Sequence, residues 1–430
     1  MGFAQTIYEL SMYGARPLLA AATPLSSKLR KGVQGRRGAT ERLIAWANAT
    51  RDASRPLVWL HAPSVGESLM AQAIVAELRA QLPEAQIVFT YFSPSAERIA
   101  ERVGADIADY LPWDTPRTIN RTLSALKPSA IAFVRTEIWP TLVRIAAERS
   151  IPMTLVNAVL SPESSRLHGT ARWLLGPAYA RLDRVGAVAR PDAERFSRLG
   201  VSTSRVRVTG DARFDQVHAR VQALDTNQPL LHRLRDDRVL TVVAGSTWPS
   251  DEEEILPAYA HARKGSPLRL IIAPHEPDAA HLRELEQRLT SAGLRHNRLS
   301  EIESSGGPLP EVVVVDRVGI LADLYAIASI AYVGGGFHSA GLHSVVEPAG
   351  QGVPTIFGPR HGNAREADEL AGKGGGFVAS DGATFASVML DLAARPLHRK
   401  SASLAARGFV EARLGGARRN AEMIVALIRK

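Results

Sequence analysis

Cysteine is absent from the sequence, which excludes disulfide scaffolds, thiolate zinc sites and cysteine nucleophiles and leaves the redox compartment open. Aromatic residues are sparse, at 6%, and they do not interleave with a basic stripe as in a typical nucleic-acid-binding module. No apolar run reaches the ~18 clean residues of a membrane-spanning helix. The stretch from Ile7 to Leu25 is interrupted by Glu9 and Arg16 and stopped by Pro24. A cleavable export signal carries its basic residues ahead of the apolar stretch, whereas Lys28, Arg30, Lys31, Arg36 and Arg37 come after it. Internal repeats, Walker loops and Gly-x-Gly-x-x-Gly fingerprints are missing as well.

What is present is the balance of a folded globular protein: 430 residues, 45% hydrophobic and 22% charged. At roughly 100 to 200 residues per domain, two domains are expected. Lys and Arg total 52 against 43 Asp and Glu, a net charge of +9. That favours phosphates, anionic lipid or nucleic acid as partners without choosing among them. The excess of Arg also fits the composition of a GC-rich genome. An apolar helix followed by a basic cluster suits a helix lying in a bilayer interface, each cation gaining ~1 kcal/mol from anionic headgroups. It also suits an ordinary packed helix with a solvated basic turn.

Short apolar runs alternate with helical patterns along the chain. Leu57 to His61 reads as a strand, then a loop from Ala62 to Glu67, then a helix with Leu69, Met70, Ile74, Val75 and Leu78 on one face. Ile87 to Phe92, Ala130 to Val134, Met153 to Val156 and Val185 to Val188 repeat the pattern. Val217 to Arg238, polar and without a strand signal, reads as an inter-domain connection. A second series follows, with strands at Val239 to Ala244, Leu268 to Ala273, Val312 to Val315, Ile330 to Val333 and Thr355 to Phe357, and an apolar helix near Ala421 to Ile428. Doubly buried strands alternating with helices indicate α/β domains with parallel, doubly wound sheets.

Four constellations carry chemistry. Ser64-Val65-Gly66-Glu67 lies at the carboxyl end of the opening strand, the edge where open α/β sheets bind ligands. Gly66 is expected to permit an unusual backbone angle and a close approach. Glu67 in the first helical turn is a candidate general base, or a helix-start residue that only caps amides. Arg135-Thr136-Glu137-Ile138-Trp139-Pro140 follows another strand, so Glu137 is either a ligand-binding carboxylate or the partner of Arg135 in a surface pair. Ala244-Gly245-Ser246-Thr247 and Gly334-Gly335-Gly336-Phe337 also follow strands. Their glycines would let amides approach a phosphate, with Ser246 and Thr247 adding hydroxyl donors, or would serve tight turns. The most specific stretch runs from Gly341 to Ala349. A helix starting near His343 would put Ser344 and Glu347 on one face, to hold ribose or to form a capping box. His343 has no second ligand at metal spacing, and no metal is expected.

In order and spacing these motifs resemble the 3-deoxy-D-manno-octulosonic acid (Kdo) transferase family. They are His61-Ala62-Pro63-Ser64-Val65-Gly66-Glu67, Tyr110-Leu111-Pro112-Trp113-Asp114, Thr136-Glu137-Ile138-Trp139-Pro140, Asn157-Ala158-Val159-Leu160-Ser161, Phe214-Asp215, Ala244-Gly245-Ser246-Thr247 and the block from Gly334 to Pro359. The resemblance implies a GT-B fold, two doubly wound Rossmann-like domains facing across a cleft. Expected are a membrane-proximal segment 1–50, an acceptor domain 51–220, a nucleotide-sugar domain 221–408 and a helix 409–430 returning to the first domain. It also implies an inverting transfer of Kdo from CMP-Kdo to a lipid A precursor (lipid IVA), without cofactor, at the cytoplasmic face of a bacterial inner membrane. Glu67 would be the base, with Ser64, Gly66, Glu137 and Arg213 on the acceptor side. Gly245, Ser246, Thr247, His275, Gly335, Gly336, His343, Ser344 and Glu347 would hold the donor. The chain departs from familiar members at Val159, Arg213 and Ser344, where they carry Arg, Lys and Asn, and it lacks the usual Arg before His275. The competing expectations are a nucleotide-sugar epimerase on the same architecture and a basic nucleic-acid-binding protein.

Overall fold

The computed structural model describes residues 3–429, and the side chain of Arg16 lies outside what it describes. The chain forms two compact units, residues 1–216 with 414–430, and residues 217–413. The expected boundaries at 220/221 and 408/409 lie a few residues away from these. Residues 3–50 belong to the first unit and form the α-helices Phe3–Ala21, Ser27–Arg36 and Ala39–Thr50, with a 3-10 turn at Thr23–Leu25.

The first unit carries a seven-stranded parallel sheet. Its strands are β1 (Leu57–His61), β2 (Gln86–Tyr91), β3 (Ile107–Tyr110), β4 (Ala130–Val134), β5 (Met153–Ala158), β6 (Arg184–Ala187) and β7 (Val206–Val208), ordered β3-β2-β1-β4-β5-β6-β7. Every residue of β1, β2, β4 and β5 is buried, as expected where helices cover both faces. The strand order reverses between β1 and β4, which pair in parallel. The second unit repeats the plan with β8 (Leu240–Thr247), β9 (Leu268–Pro274), β10 (His296–Arg298), β11 (Val312–Val314), β12 (Ile330–Val333), β13 (Thr355–Phe357) and β14 (Gly376–Val378), ordered β10-β11-β9-β8-β12-β13-β14. Here the order reverses between β8 and β12. Such a reversal opens a crevice at the carboxyl ends of the two strands.

Two expectations need correction. The stretch from Val217 to Arg238 is not an open connection: it holds the end of helix Ala212–Ala223 and helix Pro229–Leu234. Leu231 and Leu234 are fully buried in the core of the second unit, which compensates for the polar composition of their neighbours. The helix after β12 starts at Val346 rather than near His343, and it is five residues long. Val345 holds its cap position with no side-chain cap bond, so the Ser344 to Glu347 capping box does not form.

Candidate active site

Both reversal points coincide with the constellations read from the sequence. In the first unit β1 runs through His61 into Ser64, the N-cap of helix Val65–Gln81, and Glu67 stands in that helix's first turn. The Ser64 carbonyl accepts from the Ser68 amide at 2.9 Å and from the Ser68 hydroxyl at 2.7 Å, while the Ser64 hydroxyl makes no cap bond. Gly66 is not in the left-handed region, and a Cβ there would meet nothing. Its part is therefore open space above the helix start, not an unusual backbone angle. Oε2 of Glu67 is buried without a hydrogen-bond partner among the described residues. A capping glutamate would be bonded to amides, and an orphaned buried carboxylate oxygen is costly unless a ligand completes it.

Across the reversal, β4 ends at Val134 and Arg135 takes φ 74. A bulky residue held in that region is strained, a feature that clusters at functional sites. The turn aims Glu137 at His61, with Oε1 3.9 Å from Nε2. His61 is fully buried: Nδ1 lies 2.9 Å from the Thr90 carbonyl, and Nε2 is 3.1 Å from the Trp139 indole nitrogen. An indole N–H can only donate, so Nε2 accepts and the proton sits on Nδ1. Glu137 therefore faces an unprotonated nitrogen. Its contact with His61 Nε2, at 3.9 Å, is too long for a hydrogen bond. Thr90 is fixed in turn by Trp59, whose indole donates to its hydroxyl at 3.0 Å.

Arg213 is bound to the buried Asp211, with Nε to Oδ2 at 2.8 Å. Burial works against ionisation of Asp211, yet the Arg213 guanidinium and amide hold it below the usual carboxylate range. Asn157, at φ 51 at the end of β5, donates to Asp211 at 3.3 Å and accepts from the Ala212 amide at 2.7 Å. Val159 lies beside Arg135, whose carbonyl accepts its amide at 3.3 Å.

In the second unit β8 kinks at its carboxyl end: Ser246 takes φ 55 and the register with β9 shifts between Gly245 and Thr247. The Thr247 hydroxyl is buried and donates to Glu252 at 2.9 Å, so it is not available as the ligand donor expected of it. Gly245 packs under the Tyr325 hydroxyl, and Gly335, at φ 92, packs against the Gly341 carbonyl; a Cβ would clash at both. Gly245 is thus required by close side-chain packing and Gly335 by close backbone packing, a reason for glycine that needs no phosphate. The Gly335 amide is already committed to Asp251 at 2.8 Å, whereas the buried Gly336 amide has no partner among the described residues.

Sequence reasoning missed Asp251. It is fully buried and also accepts from the Trp248 amide at 2.9 Å, the Tyr332 hydroxyl at 2.8 Å and the Phe337 amide at 3.2 Å. The signal was there: Trp248-Pro249-Ser250-Asp251 has proline at the first helical position and an acid at the third. Above this carboxylate the rings gather. Trp248 stacks on His338 at 4.3 Å and donates to Nε2 of His343 at 3.2 Å, and His275 lies 4.3 Å from His343. Burial, reinforced by His275, brings His343 down to about 4. Ser344 is exposed. Glu347 lies farther along, where burial raises its carboxyl despite Arg220. The structure thus gathers Ser246, His275, Gly335, Gly336 and His343 at one edge, while Ser344 is exposed and Glu347 lies in the field of Arg220 and Asp323.

Among the described residues no group of three or more His, Asp or Glu could hold a metal ion. The arrangement offers an unsatisfied carboxylate on one sheet edge, and a ring cluster with an orphan amide on the other.

Residues 35–216 match the family model described as 3-Deoxy-D-manno-octulosonic-acid transferase (kdotransferase). The 3-deoxy-D-manno-octulosonic acid transferase of Haemophilus influenzae is 29% identical over 70% of this chain and 70% of its own length. That of Bordetella pertussis is 30% identical over 97% of this chain and 98% of its own. A putative UDP-N-acetylglucosamine 2-epimerase from Listeria monocytogenes superposes with a TM-score of 0.61 at 14% identity, over 87% of this chain and 96% of its own, a likeness of fold alone. With a relative aligned from end to end and the site motifs at the two sheet reversals, the chain belongs to the 3-deoxy-D-manno-octulosonic acid transferase family and is a glycosyltransferase.

Proposed function

We propose that the chain transfers Kdo from CMP-Kdo to a lipid A precursor, lipid IVA, with Glu67 as general base. The observation that carries this reading is the buried, unpartnered Oε2 of Glu67 at the β1 to β4 reversal. The acceptor hydroxyl gives its proton to Glu67, its oxygen bonds to the anomeric carbon of Kdo, and the bond from that carbon to the CMP phosphate oxygen breaks, CMP keeping the electron pair. One displacement inverts the anomeric centre, and no metal takes part. Glu137, held open beside His61, orients the acceptor sugar. Ser246, His275, His343 and the Gly336 amide take CMP, with Asp251 positioning the glycine loop.

Membrane contact fits the first helix. Phe3–Ala21 turns its polar side inward: Glu9, 8% exposed, bonds Arg144 at 2.8 Å, and the Tyr8 hydroxyl reaches the buried Asp114. Leu10, Tyr13 and Leu18 point outward, with Leu18 71% exposed. A soluble packed helix has the opposite arrangement, and no helix described is long and apolar enough to cross a membrane. The outward apolar face supports peripheral or monotopic membrane contact, and the cytoplasmic face of an inner membrane is the location that belongs to the proposed reaction.

Incubation with CMP-Kdo and lipid IVA should give the Kdo-lipid and one CMP per sugar. Glu67→Gln should fold normally and lose about 100-fold or more of that activity, the scale for a lost general base. Near-normal turnover by the folded variant would remove Glu67 from the mechanism.

A further inference from the structure

A separate pocket of about 310 Å³ opens in the first unit, with Arg36, Arg37, Arg117 and Arg121 in its wall. It is at the small end of the ~300–1,000 Å³ range of ligand sites. Two helices begin in it. Ala39–Thr50, 12 residues long, starts after Gly38 and brings Thr40 and Glu41; Pro116–Leu126, 11 residues long, starts after Thr115 and brings Arg117 and Thr118. Neither start has a side-chain cap, so first-turn amides lack intrahelical partners and the positive ends of two helix dipoles meet there.

The second, independent observation is Arg36. It is 6% exposed and its Nε has no hydrogen-bond partner among the described residues. Its guanidinium lies over Phe92 at 4.0 Å and Trp113 at 4.9 Å, and its hydrogen bond to the Phe92 carbonyl is long at 3.4 Å. Burial lowers its pKa to about 10, which still leaves it charged at neutral pH. A buried cation with an unused donor is costly until an anion completes it. The one carboxylate in the wall, Glu41, is held by Arg121 at 3.0 Å, and Arg37 and Arg117 make no ion pair among the described residues. The wall therefore carries a surplus of cations. Two more features tie it to an amphiphile. Ala20, near the end of the outward-facing apolar helix, lies in the wall. From Arg36 a run of contacts passes through Phe92, stacked on Trp139 at 5.4 Å, to His61 and Glu137.

We propose that this pocket binds a phosphate monoester carried by the lipid-linked sugar acceptor, an assignment that rests on the acceptor named above. A phosphate monoester brings about −1.5 to −2 charges and three acceptor oxygens. Arginine forks and paired helix starts match them, and the chain of rings leads from there to the carboxylate that meets the sugar.

The test uses the full chain in non-ionic detergent with Arg117→Gln, Arg121→Gln and the double variant; both side chains are exposed, so folding is not at stake. The acceptor is supplied as the phosphorylated lipid and after phosphatase treatment. The double variant should raise KM for the phosphorylated acceptor about tenfold or more, the loss of at least one charge-assisted contact. The kcat should stay nearly constant and the phosphatase-treated lipid should show no difference. Arg36→Lys, which keeps charge but loses the fork, should share the KM effect. An unchanged KM for the phosphorylated lipid in the double variant overturns the proposal. So does an unchanged KM combined with lost flotation on phosphatidic acid vesicles, which would make the pocket a headgroup site. If the wild type transfers to neither lipid, the acceptor reading fails on its own. Calorimetric titration with inorganic phosphate then decides: binding by the wild type that the double variant lacks retains the phosphate site, and equal heats for both reject it.

Discussion

At the residue scale, two kinds of group stand apart: those whose partners are complete and those left incomplete. Asp251 is complete, its two oxygens taken by three amides and a hydroxyl, so it shapes a loop and has little left for a ligand. Glu67 and Arg36 are incomplete among the described residues, and the ligands proposed for them would complete them. His343 makes a measurable consequence of its burial. Its neutral form is favoured down to about pH 4, and the neighbours that face it are His275, His338 and Asp251. Between the ordinary histidine value near ~6.5 and about 4 the unfolded chain binds this proton and the folded chain does not, so stability rises with pH across that window. Melting curves should therefore show an acid-side loss between pH 6.5 and 4 that is smaller in His343→Asn. An identical pH slope in wild type and variant would mean that His343 does not titrate as its surroundings imply. The candidate residues were legible in the sequence where a motif followed an apolar run, as with Glu67 and Ser246. The occupancy of each was not, because the bond from the Thr247 hydroxyl to Glu252 depends on how a helix start folds back against a strand end.

At the scale of elements, legibility follows burial. The ten strands expected from apolar runs correspond to β1, β2, β4, β5, β6, β8, β9, β11, β12 and β13. The four not expected, β3, β7, β10 and β14, are the edges of the two sheets. An edge strand buries one flank at most and needs no continuous apolar run: β7 is Val-Arg-Val and β10 is His-Asn-Arg, and neither contains a fully buried residue. The first helix shows the converse. Its apolar composition was plain, but the direction of its apolar face was decided by Glu9, whose pair with Arg144 draws the polar side inward. Of the basic residues that follow, Lys28, Arg30, Lys31 and Arg37 are exposed and suited to a surface, whereas Arg36 is buried and serves a pocket. Leu10→Gln with Leu18→Gln should leave the melting temperature nearly unchanged, as exposed substitutions do. If the helix lies in a bilayer, the same pair removes about 3 kcal/mol or more of apolar burial, so binding to anionic vesicles should fall by about 100-fold. Equal vesicle binding by the double variant would show that this face does not enter the membrane.

At the scale of the whole molecule, the chain leaves its first unit at Gln216 and returns to it at Leu414, so the first fold is not finished until the last helix is made. Helix Gly416–Ile428 buries Ala417, Ala421, Ile424 and Val425 in the same core as Val58, Ile74 and Val134. Its Asn420, fully buried, accepts from the Asn157 amide at 3.1 Å and the Thr209 hydroxyl at 3.0 Å. Asp215 receives the Gly415 and Ala417 amides at 2.6 and 2.9 Å. Exposing Ile424 and Val425 alone would cost about 3 to 6 kcal/mol, and orphaning the Asn157 amide about 1 to 3 more. The whole stability of a domain is only ~5–15 kcal/mol. Residues 217–413, continuous in sequence and with their own core, should melt cooperatively when produced alone, whereas residues 1–216 should not. A peptide of residues 414–430 added in trans should restore a transition to residues 1–216, in proportion to its concentration, as binding to the folded state requires. Circular dichroism melts of the three samples decide the matter. A cooperative transition in 1–216 without the peptide would mean that the returning helix decorates the first unit and does not complete it.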